Sequence, residues 1–388
     1  MADRVFPATE ALYDTDPYQT VFTAVVLGCE ETADGQFLIV LDRTGFFPEQ
    51  GGQSGDRGML GAVNVLDTQV KAGVITHICD GALSAGETVE GRVDWERRFD
   101  FMQNHSGEHL FSGILHWQYG IRNCGFHLSD SIMTADYEQP LSDEVLAEVE
   151  EKCCRAVWED LTVQISYPSE EEQQTLAYRS KKEVDGALRI VTFPGIDVCA
   201  CCAPHVKRTG EIGLVKVVSA MHYKKGTRVT LACGERAFAM LAEEHRLIKG
   251  LAVSFSTKES EVPAQVARLK EKNHELTGQL AEAKAQILSL EAEKLSGAEG
   301  PALLFGEDLP DAAMRRTVNG LMETREGLCG VFAKTDKGYR FVLGCATGGM
   351  KEVAAKLRQM LHAGCGGDDR MASGSIPADE AAIREALS

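Results

Sequence analysis

The chain has 388 residues, enough for two or three domains, and its 44% hydrophobic and 25% charged residues are ordinary for a globular protein. A formal net charge of -18 argues against general affinity for polyanions, because phosphate contacts need a local excess of Lys and Arg. A nucleic-acid substrate is not excluded, since binding depends on where the charges lie.

Two absences in the sequence and its cysteine content indicate the cellular compartment of the protein. No run of 18 apolar residues occurs, so we expect no membrane-spanning segment. The N-terminus lacks a basic region followed by an apolar stretch, which argues against secretion. Without a signal peptide, the twelve cysteines are better explained as free thiols and metal ligands than as disulfides. We therefore expect a cytoplasmic protein.

Residues 1–93 are predicted to form a small β-barrel-like domain. From about residue 20, β-branched runs such as VFTAVVLGCEE and GQFLIVLDR alternate with Gly and Asp turns. The segment TGFFPEQGGQSGDRG, residues 44–58, is called here the glycine-rich motif. Its five glycines include the adjacent Gly51 and Gly52. This composition allows close approach of the backbone to a ligand, although a plain hairpin loop would need no further function.

Residues 94–236 are predicted to form a mixed α+β domain. Apolar residues at helical spacing predict a helix over 95–119, which ends before Gly120. A second amphipathic helix is predicted over 141–161, and strands are predicted at 189–191 and 213–218. The overall prediction is an α+β fold.

Residues 237–298 are predicted to form a long helical, coiled-coil-type segment. Steps of three and four residues define a heptad seam: Val266, Leu269, Asn273, Leu276, Leu280, Ala283, Ile287 and Leu290. Asn273 takes a core position, where a buried amide commonly fixes register or partner number. The helix either pairs with a second copy or folds back on another helix of its own chain. We expect a homodimer, formed through this helical segment or through the C-terminal domain.

Residues 299–388 are predicted to form a small C-terminal α/β domain after a linker at 296–301. A helix is predicted over 350–362, followed by the glycine-rich loop AGCGGDDRMASGSIP. No GxxxxGK[ST] pattern is present, so nothing indicates an NTPase.

The motif HSGEH, from His105 to His109, falls in the predicted helix 95–119. Residues four apart share a helix face at about 5–6 Å, so both imidazoles can reach one metal ion. Two such histidines also commonly only cap, pair or pack. Because Glu108 directly precedes the second histidine, the motif differs from the HExxH of zinc proteases and does not predict their glutamate base.

A second candidate motif, CACCAPH, runs from Cys199 to His205. Thiolate and imidazole ligands together suit Zn²⁺. Cys201 and His205 repeat the four-residue spacing, whereas Cys199 and Cys202 form a CxxC pair, so two ligand choices stay open. A buried cysteine cluster without metal is a further interpretation. Two pairs, about ninety residues apart, together favour one shared ion.

In this order, the motifs resemble those of the AlaX family, free-standing proteins related to the editing domain of alanyl-tRNA synthetase. The glycine-rich motif resembles the family's T-x-F-Y-P-x-x-G-G-Q-x-x-D-x-G, and HSGEHL resembles its HxxxH helix. CCAPHVKRTGEIGLVKVVS is similar to C-G-G-T-H-V-x-x-T-G-x-I-G. The long helix and the GCGGDDRMASGS segment resemble the DHH-associated domain of longer members, so the resemblance covers nearly the whole chain.

The resemblance implies one Zn²⁺ per chain. Its ligands would be His105, His109, Cys201 and His205. Catalytic residues would be Thr44 and Gln53, and the substrate-binding residues Thr44, Gly51, Gly52 and Gln53. This chain departs from the family where C-G-G-T-H is replaced by CCAPH. Proline removes one backbone donor, and Cys199 or Cys202 could compete as a ligand.

The activity implied is trans-editing, the hydrolysis of the ester that links serine or glycine to the acceptor end of tRNA(Ala). A chain of 388 residues that starts at the barrel leaves no room for a class II aminoacylation domain, so we expect correction in trans. Zinc would either activate water or position the substrate, and we expect positioning. Two alternatives stay open: a non-catalytic tRNA-binding module with structural zinc, and an editing enzyme for another aminoacyl-tRNA.

Candidate tRNA-binding positions are basic or glycine residues outside the predicted metal site. They are Lys207, Arg208, Lys224, Lys225, Gly366, Gly367 and Arg370. Lys181 and Lys182 form another basic pair. For any such pair alone, scattered surface charge is an equally good interpretation.

Overall fold

The structure is a computed structural model, and it describes residues 6–180, 188–295 and 297–388. The chain divides into two compact units, Met1–Leu247 and Ile248–Ser388. Residue 296, the first of the predicted linker, lies outside the described residues. Among the described helices, none combines the length and the apolar character that crossing a bilayer requires.

The first unit begins with a closed six-stranded barrel, as the alternating β-branched runs predict. In chain order, this part of the unit contains β1 (Glu10–Ala11), α1 (Leu12–Thr15), β2 (Val21–Glu31), β3 (Phe37–Leu41), β4 (Arg43–Thr44), β5 (Gly58–Leu60), β6 (Val63–Lys71), β7 (Val74–Cys79) and β8 (Thr88–Val93). The barrel order is β2-β3-β7-β6-β5-β8, and every pair in it is antiparallel. The buried Phe22 ring packs closely on Gly91, where an added Cβ would lie 2.3 Å from it.

The predicted helix over 95–119 is confirmed as α2 (Trp95–Tyr119), the central helix of the first unit. Asp94 caps its N-terminus by accepting a hydrogen bond from the Arg97 N–H. Gly120 ends it in the left-handed conformation with a φ of 68°. Every residue from 104 to 115 is buried, so side chains on all faces of this stretch have protein neighbours.

Two glycines let α2 approach its neighbours closely. A Cβ at Gly107 would lie 2.2 Å from Cys233 Sγ, and one at Gly113 would lie 2.6 Å from Asp197 Cβ. A larger residue at either position would push the strand away from the helix. The segments that carry the predicted site are therefore held at short range.

The rest of the first unit is α+β. In chain order it contains β9 (Asn123–Leu128), β10 (Met133–Tyr137), α3 (Asp143–Trp158), β11 (Gln164–Ser166), α4 (Glu170–Gln173), β12 (Ile190–Phe193), β13 (Asp197–Ala200), β14 (Val215–Tyr223), β15 (Gly226–Cys233) and α5 (Gly234–Ser254). The strands form the sheets β14-β15-β10-β9 and β11-β12-β13. Their buried faces share one apolar core with α2 and α3.

The second unit is built on a five-stranded sheet of order β16-β17-β18-β20-β19. Its elements are α6 (Val262–Leu295), β16 (Ala302–Glu307), α7 (Asp311–Thr324), β17 (Leu328–Thr335), β18 (Gly338–Cys345), α8 (Met350–Leu361), β19 (Gly364–Gly367), β20 (Met371–Ile376) and α9 (Glu380–Leu387). Two apolar clusters stabilise it, one with α8 and α9 and the other with α6 and α7.

The glycine-rich segment near the C-terminus differs from the prediction. The sequence predicts a loop, but the structure has an antiparallel hairpin of β19 and β20, with β19 at the sheet edge. An added Cβ at Gly374 would lie 2.2 Å from the Gly364 carbonyl oxygen. The loop prediction is wrong because glycine here permits close pairing of strands rather than an irregular backbone.

Helix α6 presents the predicted heptad seam to solvent. Leu269, Leu276 and Ile287 are 57%, 51% and 56% exposed. A different stripe of the helix, around Leu288, packs in the apolar cluster with α7. Within the described part of the chain, therefore, no segment covers the seam.

Candidate metal centre

Four side chains from two distant segments meet in the first unit. His105 and His109 come from consecutive turns of α2, and Cys201 and His205 follow β13. Their potential ligand atoms all lie within 4.8 Å of one another, and we call this group the His₃Cys cluster. Cys201 Sγ lies 3.3 Å from His205 Nε2 and 3.7 Å from His105 Nε2. This arrangement could hold one metal ion.

The three imidazoles of the His₃Cys cluster are almost completely removed from solvent, and Cys201 is partly buried. His105, His109 and His205 are 2%, 1% and 1% exposed. Polar groups in such an environment need partners, because an unpaired buried donor or acceptor costs about 1–3 kcal/mol. The partners show how the cluster is held together.

Each imidazole is fixed through its Nδ1 atom by a different part of the first unit. The partners are Gln53 Oε1 at 2.7 Å for His105, Asp197 Oδ2 at 2.8 Å for His109 and Ser106 Oγ at 3.0 Å for His205. An imidazole that donates from Nδ1 has its Nε2 lone pair available for a metal ion. His105 and His109, whose partners are acceptors, are thus held in the tautomer that suits a ligand, and the Ser106 hydroxyl orients the His205 ring.

Arg189 anchors the loop that carries Cys201. Its Nη1 donates to the carbonyl oxygens of Cys201 at 2.7 Å and Ala203 at 3.1 Å. The Cys201 N–H in turn donates to the Arg189 carbonyl oxygen at 3.1 Å. The loop is therefore held by a buried guanidinium, although Pro204 lacks the backbone donor that other residues would offer.

Electrostatics favour a thiolate at Cys201. Burial alone would raise the pKa of this thiol, but the neighbouring His105 and His205 outweigh it and hold the pKa well below its usual value. Burial lowers the pKa of His205 to about 3, so its imidazole is neutral near pH 7. At His109, burial is opposed by Asp197 and Cys201, and the pKa is raised.

Cys199 and Cys202, the two cysteines that could compete with Cys201 as ligands, are placed differently in the structure. Cys199 Sγ belongs to a second group with His109 and Asp197, again with all ligand atoms within 4.8 Å of one another. Cys202 is in neither of the metal-binding groups found among the described residues. Burial raises the pKa of its thiol to about 12. The geometry therefore gathers Cys201, rather than Cys199 or Cys202, with the three imidazoles.

Gly51 and Gly52 carry Gln53 to the cluster. Gly52 has a φ of 88°, and a Cβ there would lie 2.4 Å from the Phe126 carbonyl oxygen, so this position requires glycine. The Leu128 N–H donates to the Gly52 carbonyl oxygen at 2.7 Å. Gln53 is fully buried, its Oε1 contacts His105, and its Nε2 has no hydrogen-bond partner among the residues that the structure describes.

Thr44 is also fully buried, but its hydroxyl binds inside the barrel. The Thr44 Oγ1 lies 2.8 Å from His77 Nε2 and accepts from the Phe46 N–H at 3.1 Å. His77 Nδ1 lies 3.1 Å from the Ile39 carbonyl oxygen, so Nδ1 is the donor and Nε2 the acceptor. Thr44 must therefore donate its hydroxyl proton to His77, and one lone pair remains.

A buried polar network lies under α2 beside the cluster. Glu108 Oε1 accepts from Ser112 Oγ at 2.5 Å and from Asn123 Nδ2 at 2.6 Å. Tyr137 Oη lies 2.9 Å from Ser112 Oγ, and burial raises the Tyr137 pKa well above its ordinary value. These contacts fix Glu108 as a hydrogen-bond acceptor within this network.

Several predicted tRNA-binding residues are engaged within the chain. Lys207 Nζ lies 3.2 Å from Asp16 and 4.3 Å from the centre of the Tyr18 ring, and Arg208 pairs with Asp160 at 2.7 Å. The others lie in two exposed hairpins: Lys224 and Lys225 between β14 and β15, and Gly366, Gly367 and Arg370 in or beside β19. The basic pair of Lys181 and Lys182 lies outside the described residues.

Sequence reasoning missed the residues that support the ligands. Asp197, Arg179, Ser106 and Arg189 all bind a cluster residue or its partner. Ser106 and Asp197 could have been noticed, because one follows His105 directly and the other lies four residues before Cys201. The sequence gives no indication that Arg179 lies near the site, because a lone arginine outside any motif is usually on the surface.

Two family models match the chain. The model described as tRNA synthetases class II (A) matches residues 16–97, which contain the barrel. The model described as threonyl and alanyl tRNA synthetase second additional domain matches residues 188–231, which contain Cys201 and His205. The two histidines of α2 lie between the matched segments.

Similar curated proteins are of two kinds. The alanine–tRNA ligase of Halobacterium salinarum is 31% identical over 98% of this chain and 44% of its own length. That of Methanopyrus kandleri is 29% identical over 95% and 43%. The alanyl-tRNA editing protein Aarsd1 of Rattus norvegicus is 29% identical over 62% of each chain. The chain therefore spans less than two thirds of each of these relatives.

The barrel, the second additional domain and the His₃Cys cluster, of which only His105 and His109 lie between the matched segments, relate the chain to threonyl- and alanyl-tRNA synthetases. Within this class the chain is an AlaX-like protein, similar to alanyl-tRNA editing proteins and to part of archaeal alanine–tRNA ligases. The resemblance predicted from the motifs is thus confirmed.

Proposed function

We propose that this chain is a cytoplasmic trans-editing hydrolase that deacylates mischarged tRNA(Ala), with Ser-tRNA(Ala) as its substrate. The observation that carries the proposal is the buried His₃Cys cluster with the unpaired Gln53 amide beside it. The similarity to alanyl-tRNA editing proteins supports tRNA(Ala) as the source of the ester.

Zn²⁺ is the ion that we propose for the His₃Cys cluster. One thiolate and three imidazoles are donors that zinc favours. Formal charges also suit a divalent cation: Cys201, Asp197 and Glu108 contribute three negative charges, and Arg179 contributes one positive charge. The Arg179 pKa is raised by both carboxylates, against the effect of burial, so these groups are within electrostatic reach. When bound, Zn²⁺ would organise the pocket through these four ligands.

Gln53 is the residue that we propose to face the ester. Its Oε1 accepts from His105 Nδ1, so its Nε2 hydrogens remain for an acceptor. The ester carbonyl oxygen suits this donor, because it gains negative charge when water attacks the carbonyl carbon. The new C–O bond forms, the bond to the ribose oxygen breaks, and that oxygen takes a proton from the attacking water. Four protein ligands leave no open position on zinc, so we propose that zinc positions substrate and does not generate hydroxide.

Thr44 is the residue that we propose to select serine. Because its proton is donated to His77, its free lone pair can only accept a hydrogen bond. A serine hydroxyl can donate to that lone pair, and the alanine methyl group cannot. A site that hydrogen-bonds a substrate hydroxyl can discriminate strongly against an analogue that lacks it.

The test is a deacylation panel of Ser-, Gly- and Ala-tRNA(Ala) on the zinc-loaded chain and its Cys201→Ala variant. We expect hydrolysis of Ser-tRNA(Ala) but little of Ala-tRNA(Ala), and loss of activity in Cys201→Ala. The Gly-tRNA(Ala) reaction shows whether the pocket also accepts an amino acid without a side-chain hydroxyl. Cys124→Ala is the matched control, because this thiol is exposed and outside the cluster. Folded, zinc-loaded protein without activity on any substrate would overturn the proposal and favour a non-catalytic tRNA-binding module. Activity confined to another aminoacyl-tRNA would overturn its tRNA(Ala) part.

We also propose that the chain forms a homodimer through α6. The heptad seam is exposed, with Leu280 and Leu290 at 54% and 58%, although leucines at such positions normally pack against a second helix. Asn273 would pair with Asn273 of the second copy and fix the register. A second copy supplies a seam of the same spacing and the same length.

A further inference from the structure

We infer that Asp197 and Arg179 form a clamp behind His109 that sets the metal affinity of the His₃Cys cluster. In this clamp, Asp197 positions the imidazole and Arg179 positions Asp197. The inference rests on the metal site proposed above, and it is independent of which aminoacyl ester the chain hydrolyses.

The clamp is a continuous chain of short contacts. His109 Nδ1 lies 2.8 Å from Asp197 Oδ2. Arg179 binds the same carboxylate in bidentate fashion, with Nε 2.6 Å from Oδ1 and Nη2 2.7 Å from Oδ2. The exposed fractions of Asp197 and Arg179 are 1% and 8%. Paired, planar contacts of this kind restrict rotation of both partners.

The backbone fixes both members of the clamp. The Arg179 N–H donates to the Val198 carbonyl oxygen at 2.9 Å, and the Ala200 N–H donates to the Arg179 carbonyl oxygen at 3.0 Å. These bonds attach residue 179 to β13, which carries Asp197. Gly113 of α2 has no side chain and lies against Asp197, which brings the carboxylate within reach of His109.

Two chemical effects follow from this geometry. The carboxylate accepts the Nδ1 proton of His109, which holds the Nε2 lone pair toward the cluster and strengthens it as a ligand. The guanidinium compensates the charge of the buried carboxylate, so that Asp197 stays ionised as an acceptor.

Arg179 has a second consequence for the group formed by His109, Asp197 and Cys199. Their ligand atoms are close enough to bind a metal of their own. The guanidinium already supplies a cation to Asp197 and uses both carboxylate oxygens. Arg179 thus restricts the site to a single ion.

The test measures zinc affinity of the full chain by competition with a chromogenic chelator. The variants are Asp197→Asn, Asp197→Ala, Arg179→Lys and Arg179→Met. Loss of such supporting contacts typically weakens metal binding about 10–100-fold. We expect about 100-fold for Asp197→Ala and Arg179→Met, and about 10-fold for Asp197→Asn and Arg179→Lys, which retain an amide acceptor or a positive charge.

A matched control comes from a second Arg–Asp pair of the same unit. Arg228 binds Asp136 in bidentate fashion at 2.6 and 2.8 Å, outside the cluster, so Asp136→Asn should leave zinc affinity unchanged. The visible spectrum of the Co²⁺-substituted chain adds a readout of the ligand field. We expect Asp197→Asn to change it, and a purely structural role would not.

The outcomes separate clearly. Wild-type zinc affinity and an unchanged Co²⁺ spectrum in both Asp197→Asn and Arg179→Lys would overturn the clamp, even if the alanine variant failed to fold. A weakening by Asp136→Asn equal to that by Asp197→Asn would overturn it too. Failure of the proposed hydrolysis would be distinct, because a zinc-loaded chain inactive on every aminoacyl-tRNA could still show the expected order of affinities.

Discussion

Substitutions at Gln53 can separate the requirements of metal binding from those of ester hydrolysis. Its Oε1 supports His105, and its buried Nε2 has no partner. Gln53→Glu keeps an acceptor for the His105 Nδ1–H but replaces the amide donor with an oxygen. Gln53→Met removes both. Gln53→Glu therefore removes the donor alone, and its comparison with Gln53→Met isolates the contact that supports His105.

The expected magnitude follows from the unpaired donor. A buried donor without a partner costs about 1–3 kcal/mol, and a substrate carbonyl oxygen would remove that cost. A donor aimed at a developing oxyanion is commonly worth about 10²–10³ in kcat. We expect Gln53→Glu to lower kcat for Ser-tRNA(Ala) by about 100-fold with near-normal zinc affinity. In Gln53→Met, we expect zinc affinity to fall as well, by about tenfold.

The assay pairs single-turnover deacylation with zinc competition on the same protein samples. Normal deacylation by zinc-loaded Gln53→Glu would refute the donor role. Normal zinc affinity in Gln53→Met would refute the support of His105. Gln50→Glu is a suitable control, because this exposed residue lies in the same loop.

Three further expectations concern Thr44, His77 and α6. Thr44→Val should raise hydrolysis of Ala-tRNA(Ala) relative to Ser-tRNA(Ala), whereas Thr44→Ser should keep the wild-type ratio; an unchanged ratio in Thr44→Val removes Thr44 from selection. Burial lowers the pKa of His77 from 6.5 to about 4, so only the unfolded chain takes up this proton in that range. The free energy of unfolding therefore falls as the pH is lowered from 6.5 to 4, by about 3 kcal/mol in total from His77, and this loss is absent above pH 6.5. Urea unfolding across this range should show a flatter pH dependence in His77→Gln, and an identical slope would contradict the assignment. Leu276→Glu combined with Leu280→Glu should turn the dimer into a monomer in sedimentation; a wild-type monomer, or an unchanged mass in the variant, would rule out the seam.

The local sequence pattern was sufficient to predict the barrel and α2. Alternating β-branched runs predicted the barrel, because a closed sheet buries every second side chain. The helix that became α2 was predicted from apolar spacing and ended where Gly120 takes a positive φ. The hairpin of β19 and β20 was missed, since its glycines lack the side chains by which strands are usually predicted.

The candidate site shows a similar division. His105 and Cys201 were proposed from residue type and spacing, which reflect the chemistry of metal ligands. Which cysteine joins the imidazoles was left open by spacing and depends on the fold of the loop anchored by Arg189. Arg179 could not be predicted, because its role arises only when its backbone joins β13 and its side chain becomes buried.

The three Nδ1 partners come from separate parts of the first unit: Gln53 from the loop of the barrel, Ser106 from α2 and Asp197 from β13. The ligand geometry therefore exists only when these parts have folded together, and ion binding is thermodynamically linked to folding of the unit. If zinc binds as proposed, free zinc at about 1,000 times the Kd would add about 4 kcal/mol to the stability of the folded state. Removal of the metal would then lower the free energy of unfolding of the first unit by that amount.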